Sequence, residues 1–347
     1  PSPLLNHAGS GHQLKINKSA AADTASLLYQ TAFSGRAELG LTGDDNLHVK
    51  VSADGTTWRE AIVVDRSTGA VTLPNTTPAA GGSLQNVLVN GDFQLNQRVF
   101  AGGSLSAGVY GFDRWKADAG GASITVSSFT VTLTSGTIVQ VIEPALWGLA
   151  SFASVPMTVS IDSPAADMTV TLGSLTGTIT AGSGRRSVTL TVGAGETGNL
   201  TFKLAKATAG SVSFARVKLE VGSAATPWQA RPSVEEIRLC QRYFQKSYPY
   251  AVAPGGAIFA GSTYVVATAG DVTVGFNFPS PMRAGPTFTT YAPNSGTVGK
   301  IADAGAAATE LTATAISPQP TGLAYWHAPG MTVGKSYFAQ WTADAEL

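Results

Sequence analysis

Cysteine is almost absent: Cys240 is the only one in 347 residues. That excludes a disulfide framework and any zinc site built on several thiolates. Charge is scarce as well, at 13% of residues, about half the usual share of a globular chain. The 22 basic residues balance the 22 acidic ones, so no basic field favours nucleic acid and no polybasic run favours an anionic membrane. No apolar run approaches the roughly 18–20 residues a membrane-spanning helix needs, so membrane insertion is not expected. The chain begins Pro1-Ser2-Pro3 with neither an initiator Met nor a signal-peptide pattern, which reads as a piece or processed product of a longer protein.

Thr, Ser, Gly, Ala and Val fill the space that charge leaves, a mix suited to strands joined by tight turns. Three β-domains are expected, at 1–84, 85–248 and 249–347. In the first, Leu14–Lys18 and Asn46–Ser52 alternate at period two, as half-buried strands do. Asp54-Gly55 then turns the chain into a return strand opened by Trp58. The Pro-, Thr- and Gly-rich stretch 74–82 reads as a linker. In the second domain many short alternating strands follow at regular spacing, from 123–127 to 212–219. That rhythm predicts a β-sandwich, specifically a jelly roll. One helix is expected after Pro232, with Ser233 and Glu236 as a capping box and Ile237, Cys240 and Phe244 on one face. The third domain is read as a small β-sandwich, with strands at 264–268, 272–278 and 287–291 and a last strand at the C-terminus. The expected class is therefore all-β, with serial modules, a central jelly roll and one short helix. The weakly charged surface hints that partner chains cover much of it.

Catalytic constellations are hard to find. Gly193-Ala194-Gly195-Glu196-Thr197-Gly198 matches a dinucleotide fingerprint, but a strand follows it where a helix N-terminus would be needed. It is read as a turn. Asp44-Asp45, Asp162 with Asp167, and Glu235-Glu236 are the nearest carboxylate pairs, and all fall in turns or at a helix start. A glycosidase needs two carboxyls facing each other across a sugar. No cofactor or metal is expected, and the chain is read as not being an enzyme, with a polysaccharide depolymerase as the alternative. Aromatic rings offer more, because flat rings cover apolar sugar faces. Tyr325, Trp326 and His327 cluster before Pro329-Gly330, and Tyr291 precedes Pro293-Asn294-Ser295-Gly296. These four are the candidate ligand-binding residues, read as loop-tip platforms. The competing reading is that the rings fill a small core or an interface between chains.

Several segments carry a family resemblance. Leu4–Lys15 with Ala20–Leu28 resembles a stretch of alphaproteobacterial phage and gene transfer agent fibre or spike proteins. Asn86–Phe93, Asp113-Arg114-Trp115, and Lys218-Leu219-Glu220 with Thr226-Pro227-Trp228 look like the sandwich modules of tail fibres. Pro281-Met282-Arg283 and Trp341–Ala345 resemble the C-terminal domain of the same fibres. The resemblance implies a homotrimer on the surface of a phage tail or a gene transfer agent head, joined to capsid or tail proteins through a preceding N-terminal region. It also implies adhesion to host capsular or other surface polysaccharide, with a purely architectural fibre segment as a further alternative. Sandwiches of this type often place a structural calcium near an Asn-Gly-Asp-Phe-Glu stretch. Here Gln94 replaces that Glu, and Arg216 and Lys218 lie in the last strand, which disfavours a hard cation.

Overall fold

The computed structural model describes residues 6, 9, 11–74, 86–207, 209–267, 275–303 and 309–347, of which 315, 316 and 324–326 are described by backbone alone. Most of the linker expected at 74–82 and residues 268 and 272–274 of two expected strands lie outside the described residues. The chain divides into two compact units, 1–83 and 84–347. Residues 85–248 and 249–347, expected as separate domains, fold within the second unit.

The first unit is an antiparallel meander of five strands in sequence order: β1 (Thr24–Thr31), β2 (Ser34–Thr42), β3 (Leu47–Ser52), β4 (Trp58–Val64) and β5 (Val71–Thr72). The Asp-Gly turn forms as expected. Asp54 Oδ1 accepts the amides of Thr56 and Thr57 at 2.8 and 2.7 Å, and these bonds hold its carboxyl well below the usual carboxylate range. The strand expected at Leu14–Lys18 does not form. Its alternation finds no partner strand, and Leu14 and Ile16 stay exposed.

His48 is buried in β3. Its Nδ1 lies 3.1 Å from Glu60 and its Nε2 2.8 Å from Asp44, while Lys50 pairs with the same Glu60 at 3.2 Å. Burial pulls the imidazole pKa down, but hydrogen bonds to Asp44 and Glu60 outweigh it and the net shift is upward. A raised pKa means that the folded state holds the proton more tightly than the unfolded chain. The stabilisation is therefore fully present below about pH 6.5, the ordinary imidazole value, and is lost as pH rises through the higher folded value. Amide exchange of Leu47–Ser52 should accelerate between pH 6 and pH 9 beyond the intrinsic rate change. In His48→Gln that excess should vanish; an excess of equal size in the variant would refute the assignment.

The second unit begins with a two-layered sandwich. Its strands are β6 (Gly103–Leu105), β7 (Lys116–Ser127), β8 (Thr130–Ile142), β9 (Pro156–Asp162), β10 (Met168–Leu172), β11 (Leu175–Ile179), β12 (Arg185–Thr191), β13 (Leu200–Lys206) and β14 (Val212–Val221). One layer runs β11-β10-β13-β8 and the other β12-β9-β14, with β7 and β6 extending from β8. The chain alternates between layers from β8 to β9, β9 to β10, β11 to β12, β12 to β13 and β13 to β14, which makes this a jelly roll. A bulge between Ala215 and Lys218 lets β14 pair first with β8 and then with β9. Arg216 takes the left-handed conformation there (φ 52°), and Val217 donates to the Gly91 carbonyl at 2.8 Å. Gly136 (φ 75°) sits opposite Ala122, where the register of β8 with β7 shifts, and a Cβ on it would run into the Gly121 carbonyl, so this position requires glycine.

The core lies between the layers and follows the alternation in sequence: Ile124, Leu133, Val159, Val170, Phe202 and Phe214 are all buried. Phe93 stacks on Trp115 at 4.5 Å, and Phe202 meets the other edge of Trp115 at 6.0 Å. The G-x-G-x-x-G segment is the loop between β12 and β13, as expected.

A helix, α1 (Ser233–Gln241), follows, but the expected capping box does not form. Ser233 makes no side-chain cap, and Glu236 is instead taken by Arg231 at 2.9 Å and by the Asn90 amide. Phe244 lies beyond the helix and opens the next strand.

That strand, β15 (Phe244–Lys246), begins the last module, which continues with β16 (Thr263–Val266), β17 (Phe276–Asn277), β18 (Thr287–Tyr291), β19 (Lys300–Asp303), β20 (Glu310–Thr312), β21 (Thr314–Gln319), β22 (Gly322–His327) and β23 (Ser336–Asp344). The C-terminal strand β23 is central. β16 and β15 pair along one edge of it and β19 and β18 along the other. Trp341 and Ala343 face a cluster with Phe278 and Met282, so alternation sends Gln340, Thr342 and Asp344 to the opposite face. β17, β22 and β21 form a separate three-stranded sheet.

Candidate functional site

The face of β23 turned away from the Trp341 cluster is the floor of an open groove of about 490 Å3. Register puts its residues together. Thr287 and Phe244 stand opposite Asp344, Thr289 and Lys246 stand opposite Thr342, and Tyr291 stands opposite Gln340. Opposed residues on paired strands share a face, so residues remote in sequence form one surface. Arg98 enters from the sandwich, and its guanidinium lies over the Phe244 ring at 3.8 Å and bonds Asp344 at 3.2 Å.

Tyr291 stands against Tyr248 edge to face at 5.8 Å, with its hydroxyl 3.4 Å from Thr342 Oγ1. The side-chain hydroxyls of Thr287 and Thr289 have no hydrogen-bond partner among the described residues, which leaves them available to a ligand. Lys246 donates to the carbonyls of Tyr250 and Val252, both at 2.8 Å, and burial lowers its pKa to about 8. The groove therefore offers a rigid aromatic edge, a row of hydroxyls and one guanidinium–carboxylate pair. Such a surface can hold a polyhydroxylated ligand by ring contact and hydrogen bonds.

The other expected residues lie elsewhere. Tyr325, Trp326 and His327 are in β22, paired with Ile316, Ala315 and Thr314 of β21. They belong to a strand rather than a loop tip, because the alternation of 322–327 finds a partner in β21. Tyr291 is likewise the last residue of a strand, and the turn begins beyond it. What sequence reading missed was the groove's floor. Thr287, Thr289, Thr342 and Asp344 alternate with core residues, a legible signal, but their convergence on one face depends on pairing between strands 53–57 residues apart.

The motif residues found in the sequence hold the fold around this site. Asp113 accepts the Gln97 amide at 3.0 Å and its side-chain NH2 at 2.9 Å, and burial raises its carboxyl pKa. Arg114 is buried, pairs with Glu346, donates to the Val141 carbonyl at 2.7 Å and lies over the Tyr243 ring at 3.4 Å. Tyr110 and Lys116 donate to the Leu347 carbonyl. The segment Tyr110–Lys116 is thus a latch that fixes the residues just beyond β23, and with them the groove. In the Asn86–Phe93 segment, Asn86 spans Val217 and Leu219 of β14. Lys218 and Glu220, both buried, pair at 2.9 Å.

The carboxylates singled out in the sequence have structural partners, apart from the exposed Glu235. Asp45 pairs with Lys18 at 3.0 Å and Asp162 with Arg185 at 2.7 Å. Asp167 accepts the Ala181 amide at 2.7 Å. No group of three or more His, Cys, Asp or Glu placed to hold a metal occurs among the described residues. A second groove, of about 480 Å3, is lined by Trp147, Arg231, Arg238, Leu239 and Arg242. Arg231 and Arg242 are engaged by Glu236 and Glu143.

No family model and no curated protein matches the chain. Among solved structures, a CBM4 module is similar over 40% of this chain and 100% of its own, at 15% identity and a TM-score of 0.25. The CBM36-1 domain of a multidomain xylanase from the hindgut metagenome of Trinervitermes trinervoides is similar over 35% of this chain and 93% of its own, at 20% identity and a TM-score of 0.22.

Proposed function

We propose that this chain binds carbohydrate without cleaving it, and that it does so as the receptor-binding spike or fibre of a phage-like particle. The ligand is host surface polysaccharide such as capsule, held in the Tyr291 groove. The chain acts as a homotrimer and is joined to the particle through a preceding region. The observation that carries the reading is the groove floor: free Thr287 and Thr289 hydroxyls beside the rigid Tyr291 ring. Against the depolymerase alternative, the residues lining the groove include one carboxylate, Asp344, and Arg98 holds it. Glycoside hydrolysis uses two across the sugar.

Replacing Tyr291 by Ala removes the aromatic edge and should weaken retention on purified host capsule roughly tenfold, the equivalent of about 1.4 kcal/mol. Thr289→Val should weaken it less, with thermal unfolding unchanged. Unaltered retention in both folded variants would refute this site.

A further inference from the structure

The β1–β5 sheet has its burial inverted. Its register places Leu27, Tyr29, Leu39, Leu47 and Val51 on one face, and they are 42%, 59%, 38%, 41% and 46% exposed. Their neighbours on that face, Val49, Ile62, Val64 and Val71, are apolar too. The opposite face is mixed, with Ser26, Glu38, His48, Lys50 and Glu60 beside Leu28, Trp58 and Val63, and Thr42, His48 and Ser52 there are only 7% exposed. Ala25 is the one buried hydrophobic residue of this unit among the described residues. A sheet with one apolar face is stable only when that face packs against another layer, and an open apolar surface of this kind marks an interaction site.

We propose that this face is the surface through which copies of this chain associate. Its charge pattern fits a copy of itself. The one charged residue on it is Arg59, opposite Val51 at the rim, so identical faces meet without opposing like charges. An anionic membrane would call for more basic residues around the patch. A copy of the chain supplies the missing second layer wherever the chain is made. Size agrees: four strands of six to nine residues and the two-residue β5, at about 3.3 Å per residue and about 4.8 Å between strands, give roughly 500 Å2 in plan, of the order of the ~800 Å2 that each partner contributes to a stable interface. The inference rests on the homotrimer proposed above, for which it names the contact surface, and does not depend on the glycan groove.

Light scattering of the intact chain should give a multiple of its 35.5 kDa mass. Leu39→Lys, which places an ammonium at the centre of the face, should weaken association at least a hundredfold, whereas Leu28→Lys on the opposite face should leave the mass unchanged. Should Leu39→Lys fail to fold, Leu27→Cys provides a second test, because Cys240 is buried and does not compete for a thiol reagent. Labelling at position 27 should be slow when concentrated and fast after dilution. A monomer at all concentrations, or protection at position 27 that ignores dilution, would overturn the proposal, the latter by showing that the chain covers its own face.

Discussion

Arg114→Met should destabilise the 84–347 unit by about 3–5 kcal/mol, the range for removing one partner of a buried ion pair. The reason lies in what remains. Glu346 is 5% exposed and the Arg114 side chain 2%, so the substitution leaves a buried carboxylate with a single, shared cation beside it. The nearest alternative is Arg98, 3.4 Å from the other Glu346 oxygen but already shared with Asp344 and Asp113. The Val141 carbonyl loses a donor and the Tyr243 ring loses its cation. Urea unfolding followed by near-ultraviolet circular dichroism would show the lowered midpoint. Arg114→Met with Glu346→Gln should recover part of the loss, because the buried charge goes with its partner. A single variant within about 0.5 kcal/mol of the parent, the scatter of ordinary surface substitutions, would contradict the latch.

Lys218→Met should have an effect of similar size inside the sandwich. Lys218 and Glu220 are two residues apart on β14 and share its face, at 3% and 0% side-chain exposure. Glu220 also accepts the Thr226 amide at 2.9 Å and the Thr226 hydroxyl at 2.5 Å, which ties the loop after β14 to the strand. Removing the ammonium alone strands a fully buried carboxylate, again at about 3–5 kcal/mol. Lys218→Met with Glu220→Gln should restore most of that, since Gln keeps an acceptor for the Thr226 amide and carries no charge. The double-mutant cycle isolates the pair; additive losses would show that the two groups do not interact.

Much of the fold was legible because alternation reports burial directly. Phe202 and Leu204 of β13, or Met168, Val170 and Leu172 of β10, face the core at period two, as their sequences announce. Other elements were decided by partners far away in sequence. Leu14–Lys18 alternates as well as any strand, but nothing pairs with it. Glu236 stands at capping-box spacing from Ser233, yet Arg231 and the Asn90 amide claim it, and Asn90 lies 146 residues earlier. Arg114 meets Glu346 across 232 residues, a contact no local pattern encodes. Tyr291 was visible as a ring beside a turn, whereas the hydroxyls near it belong together only through the pairing of β18 with β23. The aromatic run at 325–327 reads as a platform and is a strand, because a ring-rich alternating segment satisfies both patterns.

Adhesion without cleavage is tested most directly by incubating the intact chain with purified host capsule, pulling down the complex and assaying the same sample for new reducing ends. The expected result is saturable retention with no rise in reducing ends. Release of reducing ends would make the chain a depolymerase, and absence of retention would remove the polysaccharide as its ligand.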